Sequence, residues 1–359
     1  SNRLETLMSS NVFDFDTLDA TEESVAAKNA KKRIAALVAG TRGDVQPVIA
    51  LAQCLARRNY NVCLFTTSNF VVCCEAHGVD AVAVFPDSQA IIENMGGVSG
   101  PFVEDGRTSP TLHRWKVCEN EWLQKNPGVC TPPFEALEAF QPHVVLVTFS
   151  CFSLGMRYER SSGVPAVPLY FSEAVVELFG DTMDLEPRRP AFLAVSPLVA
   201  SGLAKVQVTG EWSLEEALPE DLEGGCLAHL RQFLADGERP ICITWGSMIP
   251  KGMSPENCLK LALRAVKEAG CRAVIIGGWC RLDEIADRVL ASDAELATMA
   301  SEVCFVPSIS HSWLFPKCSC VVHHGGCGTT HTALRAGRPA VVTPVFGDQF
   351  DFSASVERL

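Results

Sequence analysis

The chain has 359 residues, 47% of them hydrophobic and 20% charged, enough for about two domains with buried cores. Its formal net charge of −12 argues against a nucleic-acid partner, because phosphate backbones select basic surfaces. The longest strongly apolar stretch, Val144 to Met156, is too short and too polar to span a bilayer, which needs roughly 20 apolar residues.

Residues 1–30 read as a flexible acidic lead-in. Glu5, Asp14, Asp16, Asp19, Glu22 and Glu23 outnumber Arg3 and Lys28 there, and strong periodicity is lacking. No basic-then-apolar leader pattern opens the chain. The sixteen cysteines often sit inside apolar runs: Cys63 in NVCLF, Cys242 in ICITW, Cys304 in VCFV. They read as buried free thiols rather than a disulfide framework. The expectation is a cytoplasmic, reducing setting, with the protein soluble or at most peripheral at membranes.

The ordered pattern begins with the apolar run RIAALVA at 33–39, a glycine turn, and VQPVIALAQCLARRN, whose Val48, Leu51, Ala52 and Leu55 recur at helical spacing. NVCLFTT follows as a second strand, which makes a βαβ opening. AVAVFP, HVVLVTF and VPAVPLYF read as further strands and EALEAF as a helix. Apolar runs without alternation suit a parallel sheet covered on both faces. The pattern restarts near residue 240. PICITWGSM, CRAVIIGG, VCFVPS, CSCVVHHGG and RPAVVTPVF read as strands. SPENCLKLALRAVKEAG reads as a helix capped by Ser254, and TTHTALRAG as a short helix closed by Gly337. The boundary falls in LVASGLAKVQVTGEW, giving domains over 31–203 and 204–359.

Two glycine turns fall at the carboxyl ends of strands, where ligands of such sheets bind. They are AGTRGD at 39–44 and HHGGCGTT at 323–330. Neither is a dinucleotide fingerprint or a Walker A loop. In the second, Gly325, Gly326 and Gly328 allow close approach of a ligand. The helix start beyond them offers N–H groups and partial positive charge to a phosphate, and His323 or His324 can add a donor. A plain strand-to-helix turn also accounts for these glycines. Cys318, Cys320, His323 and His324 invite a metal reading, but their spacing matches no zinc pattern. In a strand through VV, the two cysteines share a face and the two histidines point apart. In the first turn, Asp44 is either an N-cap alone or a carboxylate base at an inter-domain cleft, which requires partial burial to raise its pKa. FGDQFD at 346–351 puts Asp348 and Gln349 after the last strand, either as sugar hydrogen-bonders or as a solvated turn.

Taken together, GTRGDVQP, VTGEW, WGSM and VPSISHSWLFPKCSCVVHHGGCGTTHTALRAGRPAVVTPVFGDQ resemble the UDP-dependent glycosyltransferases of GT-B fold, nearest to the sterol 3-beta-glucosyltransferases and related antibiotic glycosyltransferases. The resemblance runs from about Arg33 to Leu359 and is most specific in its C-terminal block. It implies two Rossmann-like doubly wound α/β domains facing a cleft, the N-terminal one for the acceptor and the C-terminal one for UDP-glucose. It implies inverting, single-displacement transfer to a sterol or similar lipid, with Asp44 as general base and no metal or other cofactor. The UDP-sugar site it implies comprises Gly43, Ser247, Val306, His311, Trp313, His323, His324, Gly325, Gly326, Cys327, Gly328, Thr329, Asp348 and Gln349. Within it, Ser247 and His324 to Thr329 face the diphosphate, 306–313 the uracil, and Asp348 and Gln349 the glucose. The implied partners are the UDP-sugar, a lipid acceptor and peripheral membrane contact. Three departures stand out. The chain ends at Leu359, where the family continues with further helices, so the C-terminal domain reads as truncated. FDF follows GDQ in place of proline and an aromatic. Thr332 stands near where many plant relatives carry a ribose-binding glutamate. Residues 86–130, with Phe102, Trp115 and Trp122, are expected as acceptor loops, those aromatics lining a pocket or packing in a core.

Overall fold

A computed structural model describes residues 31–104, 107–179, 190–200, 206–214 and 225–359. The acidic lead-in and residues 201–205 of the expected boundary lie outside the described residues. Contacts divide the chain into two units, one running through Ser88 and resuming at Glu121–Leu214, the other combining Gln89–Asn120 with Glu215–Leu359.

In the N-terminal unit β1 (Arg33–Leu37) leads into helix α1 (Arg42–Arg57) and back into β2 (Asn61–Thr67) and β3 (Asp80–Phe85). In chain order, helix α2 (Ser88–Asn94), the hairpin β4 (Val103–Glu104) and β5 (Arg107–Thr108), and helix α3 (Pro110–Lys125) come next. β6 (Val144–Thr148), helix α4 (Phe152–Ser162), β7 (Ala166–Tyr170), β8 (Phe192–Leu193) and β9 (Gln207–Val208) complete the sheet. Its order is β3-β2-β1-β6-β7-β8-β9, and all its pairings are parallel. β6 and β7 are buried at every residue, as expected of apolar runs covered on both faces. Gly155 of α4 lets that helix press on β6, since a Cβ there would collide with the Val147 side chain.

The C-terminal unit has β10 (Ile241–Thr244), helix α5 (Pro255–Ala269), β11 (Ala273–Ile276), β12 (Val303–Val306), β13 (Cys320–His323), helix α6 (Cys327–Arg335), β14 (Ala340–Val342) and helix α7 (Gln349–Arg358). Its sheet is parallel in the order β12-β11-β10-β13-β14. Alternate residues feed two cores. Ile243, Ala273 and Ile275 join Leu259, Leu263 and Val266 of α5, whereas Cys242, Val274 and Ile276 join Leu314, Phe315 and Val321. The ends of α5 follow sequence rules: Ser254 Oγ accepts from Asn257 N–H at 3.2 Å, Pro255 opens the helix, and Gly270 closes it at φ 57°.

Residues 86–130 are not simply loops. They hold α2, α3 and a hairpin, and Gln89–Asn120 groups with the C-terminal unit. Trp115 packs against the core around Leu259, with its Nε1–H donating to Glu119 Oε1 at 2.8 Å. The sixteen cysteines are all free thiols, most of them buried. Among the described residues no helix is long and apolar enough to cross a membrane.

Candidate functional site

Each sheet has one place where the chain reverses the direction in which it adds strands. In the first sheet it lies between β1 and β6, in the second between β10 and β13. Loops leaving adjacent strands part company there and leave a crevice outside the carboxyl ends. Both glycine turns singled out in the sequence occur at these switch points.

The first turn is short and tightly built. Gly40 sits at φ 138°, and a Cβ on it would collide with Asp44 Oδ2. Thr41, not Asp44, caps α1. Asp44 is the third helical residue and completes a capping box. Its Oδ2 accepts from Thr41 N–H at 2.7 Å and lies 3.4 Å from Thr41 Oγ1. Across the switch point, Ser150 Oγ donates to the Ala39 carbonyl at 2.7 Å, tying the loop after β6 to the loop after β1. Desolvation of the Asp44 carboxyl raises its pKa from 3.8 to about 6, against the pull of the Thr41 hydrogen bonds. Capping and an elevated pKa therefore coexist in one side chain. Gly43 is exposed beside it.

The second turn starts where His323 ends β13, paired with Thr244 of β10 and Val342 of β14. The strand begins at Cys320, so Cys318 does not share its alternation. Cys318 is buried and its thiol meets the Leu314 carbonyl at 3.5 Å. Among the described residues no group of three or more His, Cys, Asp or Glu side chains is arranged to hold a metal ion. His323 is fully buried. Its Nδ1 accepts from Gly325 N–H at 3.1 Å, and its buried Nε2 has no hydrogen-bond partner. His324 is buried too, and its Nδ1 likewise lacks a partner. Burial lowers the His323 pKa to about 4. It lowers that of His324 to about 3, with the neighbouring imidazoles of His323 and His311 adding to the effect. Both rings are neutral at pH 7.

Glycines on either side hold the His324 ring. A Cβ at Gly246 would come within 3.0 Å of its Cε1, and one at Gly326 would collide with Nε2. Gly325 adopts φ 89° and has no room for a Cβ, which would lie 2.7 Å from Val342 Cγ1. Helix α6 begins at Cys327, two residues before the threonine pair expected to open it, with Gly326 as its N-cap and no capping side chain. The first turn therefore comprises Cys327, Gly328 and Thr329. Thr330 Oγ1 and Thr332 Oγ1 donate back along the helix to Gly326 O at 3.0 Å and Gly328 O at 2.7 Å. His331 is structural: its Nδ1 meets the Cys327 carbonyl at 2.8 Å and its ring packs edge-on against Phe352.

The other expected residues of this unit lie on several of its elements. Ser247 lies half-buried in the turn after β10 that Met248 N–H closes onto Trp245 O at 2.9 Å. Val306 ends β12. His311 stacks on Phe315 at 4.6 Å and contributes to the field on His324. Trp313 is half-buried, with the Lys317 ammonium 4.0 Å from its ring centroid. Asp348 caps α7. Gln349 is buried, and its Oε1 accepts from Val345 N–H at 2.8 Å and Phe346 N–H at 3.0 Å, so its carbonyl end braces its own turn. Its backbone oxygen lies against Gly325, bringing the GDQ turn up to the HHGG turn. Gly43 and Asp44 belong to the other unit. Sequence reasoning missed Thr41, Gly40 and Gly246. The T-x-x-D spacing of 41–44 was the available signal for Thr41.

Comparison with known proteins meets the resemblance read in the sequence. Residues 34–95 match the glycosyltransferase family 28 N-terminal domain, and residues 283–358 match the erythromycin biosynthesis protein CIII-like C-terminal domain. The chain is 27% identical over 373 residues to a sterol 3-beta-glucosyltransferase of Pichia angusta, covering 91% of this chain and 29% of that protein. A sterol 3-beta-glucosyltransferase of Yarrowia lipolytica is 26% identical over 370 residues, with 90% and 25% covered. The chain thus spans less than a third of the length of these curated relatives. Among solved structures, the Streptomyces sp. SF2575 glycosyltransferase SsfS6 superposes with a TM-score of 0.57 at 15% identity, covering 91% of this chain and 86% of that one. SsfS6 complexed with thymidine diphosphate gives 0.56 at 16% identity. SnogD from Streptomyces nogalater gives 0.54 at 19%, with 92% and 84% covered. The architecture is that of GT-B glycosyltransferases.

Proposed function

We propose that this chain transfers glucose from UDP-glucose to the hydroxyl of a sterol or similar lipid, with inversion at the anomeric carbon. The observation that carries the donor half is the HHGG turn. A buried imidazole nitrogen without a partner and a helix start without a capping side chain occur together at a switch point. Polar groups are not normally left unsatisfied in a protein interior, and a helix start attracts anions. A diphosphate answers both. Its oxygens take the first-turn amides of α6, with His324 and the Ser247 turn beside it and the GDQ turn left for the glucose. The charge on the departing UDP is met by fixed dipoles rather than by water.

The acceptor half rests on Asp44. A carboxylate with a pKa of about 6 is ionised at neutral pH yet more basic than an ordinary aspartate. It takes the proton of the acceptor hydroxyl as that oxygen attacks the anomeric carbon. One C–O bond forms, the bond to UDP breaks, and the proton stays on Asp44. The sterol class comes from the curated relatives' names. The test is product formation from UDP-glucose with a panel of acceptors. A glucosylated sterol is the expected product. Conversion of other small hydrophobic alcohols alone would move the acceptor assignment. Binding of UDP-glucose with no turnover of any acceptor would leave a sugar-nucleotide binding protein.

A further inference from the structure

Residues Gly97–Phe102 come from the first half of the sequence but run along the C-terminal unit's loops. Val98 N–H donates to Ile249 O at 2.8 Å, and Lys251 N–H donates to Val98 O at 3.0 Å. Two residues on, Gly100 N–H donates to Val345 O at 3.0 Å, and Gly347 N–H donates to Gly100 O at 2.9 Å. These four bonds form two parallel bridges, Val98 with Pro250 and Gly100 with Phe346. The loops so joined follow β10 and β14, the strands on either side of β13. One loop carries Ser247, the other Asp348 and Gln349.

The segment is anchored as well as paired. Val98 is fully buried in the core with Ile243 and Leu259. Thr111 Oγ1 donates to Ser99 O at 2.9 Å, and Ser109 N–H donates to Phe102 O at 2.9 Å. At its end, Phe102 meets Phe346 edge-on with centroids 5.2 Å apart. Its ring tip also fills the space over Gly347: a Cβ there would lie 2.6 Å from Phe102 Cζ, and Gly347 adopts φ 68°. Asp348 is the next residue.

We propose that Gly97–Phe102 is a strap belonging to the donor site, and that Phe102 is a positioning residue that sets the GDQ turn against the transferred sugar. The proposal rests on the donor reading above. A turn that must aim one carboxylate at sugar hydroxyls cannot drift by an ångström without loss. β14 ends at Val342. Beyond it the turn is held by Gln349 from within and by the strap from outside. UDP alone does not touch the sugar subsite, and Phe102 meets the strap's GDQ side at Phe346 and Gly347, so its loss bears on sugar recognition rather than nucleotide recognition.

The test uses the full chain with Phe102→Ala, and Phe102→Leu as the conservative control. Titrations with UDP-glucose and with UDP are paired with hydrogen exchange of peptides covering 343–352 and 320–330. Phe102→Ala is expected to bind UDP-glucose about tenfold more weakly, equivalent to about 1.4 kcal/mol, with UDP binding unchanged. Exchange should quicken in 343–352 and not in 320–330, and Phe102→Leu should restore most of both. Equal weakening of UDP and UDP-glucose, or unchanged exchange in 343–352, would overturn the proposal. A parent protein that binds neither nucleotide would refute the donor reading and the sugar-positioning role with it. The exchange result would then still decide whether the strap holds the turn.

Discussion

Asp44→Asn should make the N-terminal unit more stable at neutral pH while abolishing turnover. The pKa of Asp44 rises from 3.8 to about 6 on folding, mainly through desolvation. The native state therefore holds that proton more tightly than the unfolded chain does. The contribution of the protonated acid is fully present below pH 3.8 and is lost as pH rises through about 6. Each pKa unit corresponds to about 1.36 kcal/mol, so the ionised form costs up to about 3 kcal/mol, and less to the extent that solvent screens the half-buried carboxylate. Asparagine is isosteric, keeps an oxygen to accept the Thr41 N–H, and carries no charge. Relative to the parent it should be near neutral at pH 4 and gain stability steadily up to about pH 7. Urea unfolding at several pH values, read by hydrogen exchange in peptides from residues 33–67, assigns the change to this unit. A difference between the two proteins that does not vary with pH would refute the desolvation argument. Unimpaired turnover by the variant would remove Asp44 from the chemistry.

Other outcomes follow from the second turn. His324→Ala should weaken UDP-glucose by about 1–3 kcal/mol, the range for removing one partner of a buried polar contact, as measured by calorimetry. Gly326→Ala should do the same with the fold intact, because φ at 326 is −61° and the atoms nearest the added Cβ belong to the His324 ring; circular dichroism separates this from unfolding. The depressed pKa values of His323 and His324, about 4 and about 3, give the C-terminal unit the opposite pH dependence. The unfolded chain takes up these protons first, so stability present above pH 6.5 is lost as pH falls toward 4, at up to about 2.7 kcal/mol per pH unit for the two rings together. His323→Asn should roughly halve that slope in acid unfolding.

The sheets were legible because their signals are local. Apolar runs such as RIAAL, VVLVT and AVII need only neighbours on both faces, and glycine turns at their ends mark where the chain leaves the sheet. Ser254 and Gly270 delimit α5 by rules that span four residues. The start of α6 was displaced because threonine is the better-known helix opener, whereas here a glycine caps and the threonine hydroxyls turn back on the helix carbonyls. Asp44 was ambiguous for a similar reason. A capping carboxylate and a buried base look identical in one dimension, and the difference lies in how much water the fold removes.

What the sequence hid is the traffic between distant segments. Nothing in GVSGPF advertises that Val98 and Gly100 extend the edges of loops at 249–251 and 345–347, because parallel bridges to a loop leave no periodicity behind. Gly347 had an explanation ready to hand as a turn residue, and its left-handed φ of 68° supports one. Its second constraint, the ring of Phe102, comes from 245 positions away. Two demands on one glycine have different signatures. A conformational demand alone is met by asparagine, which tolerates positive φ. A steric one is not, because any Cβ meets the ring. Gly347→Asn in the parent should therefore disturb the turn, and the same substitution in a Phe102→Ala background should be tolerated. That non-additivity would place the constraint in the contact rather than in the backbone.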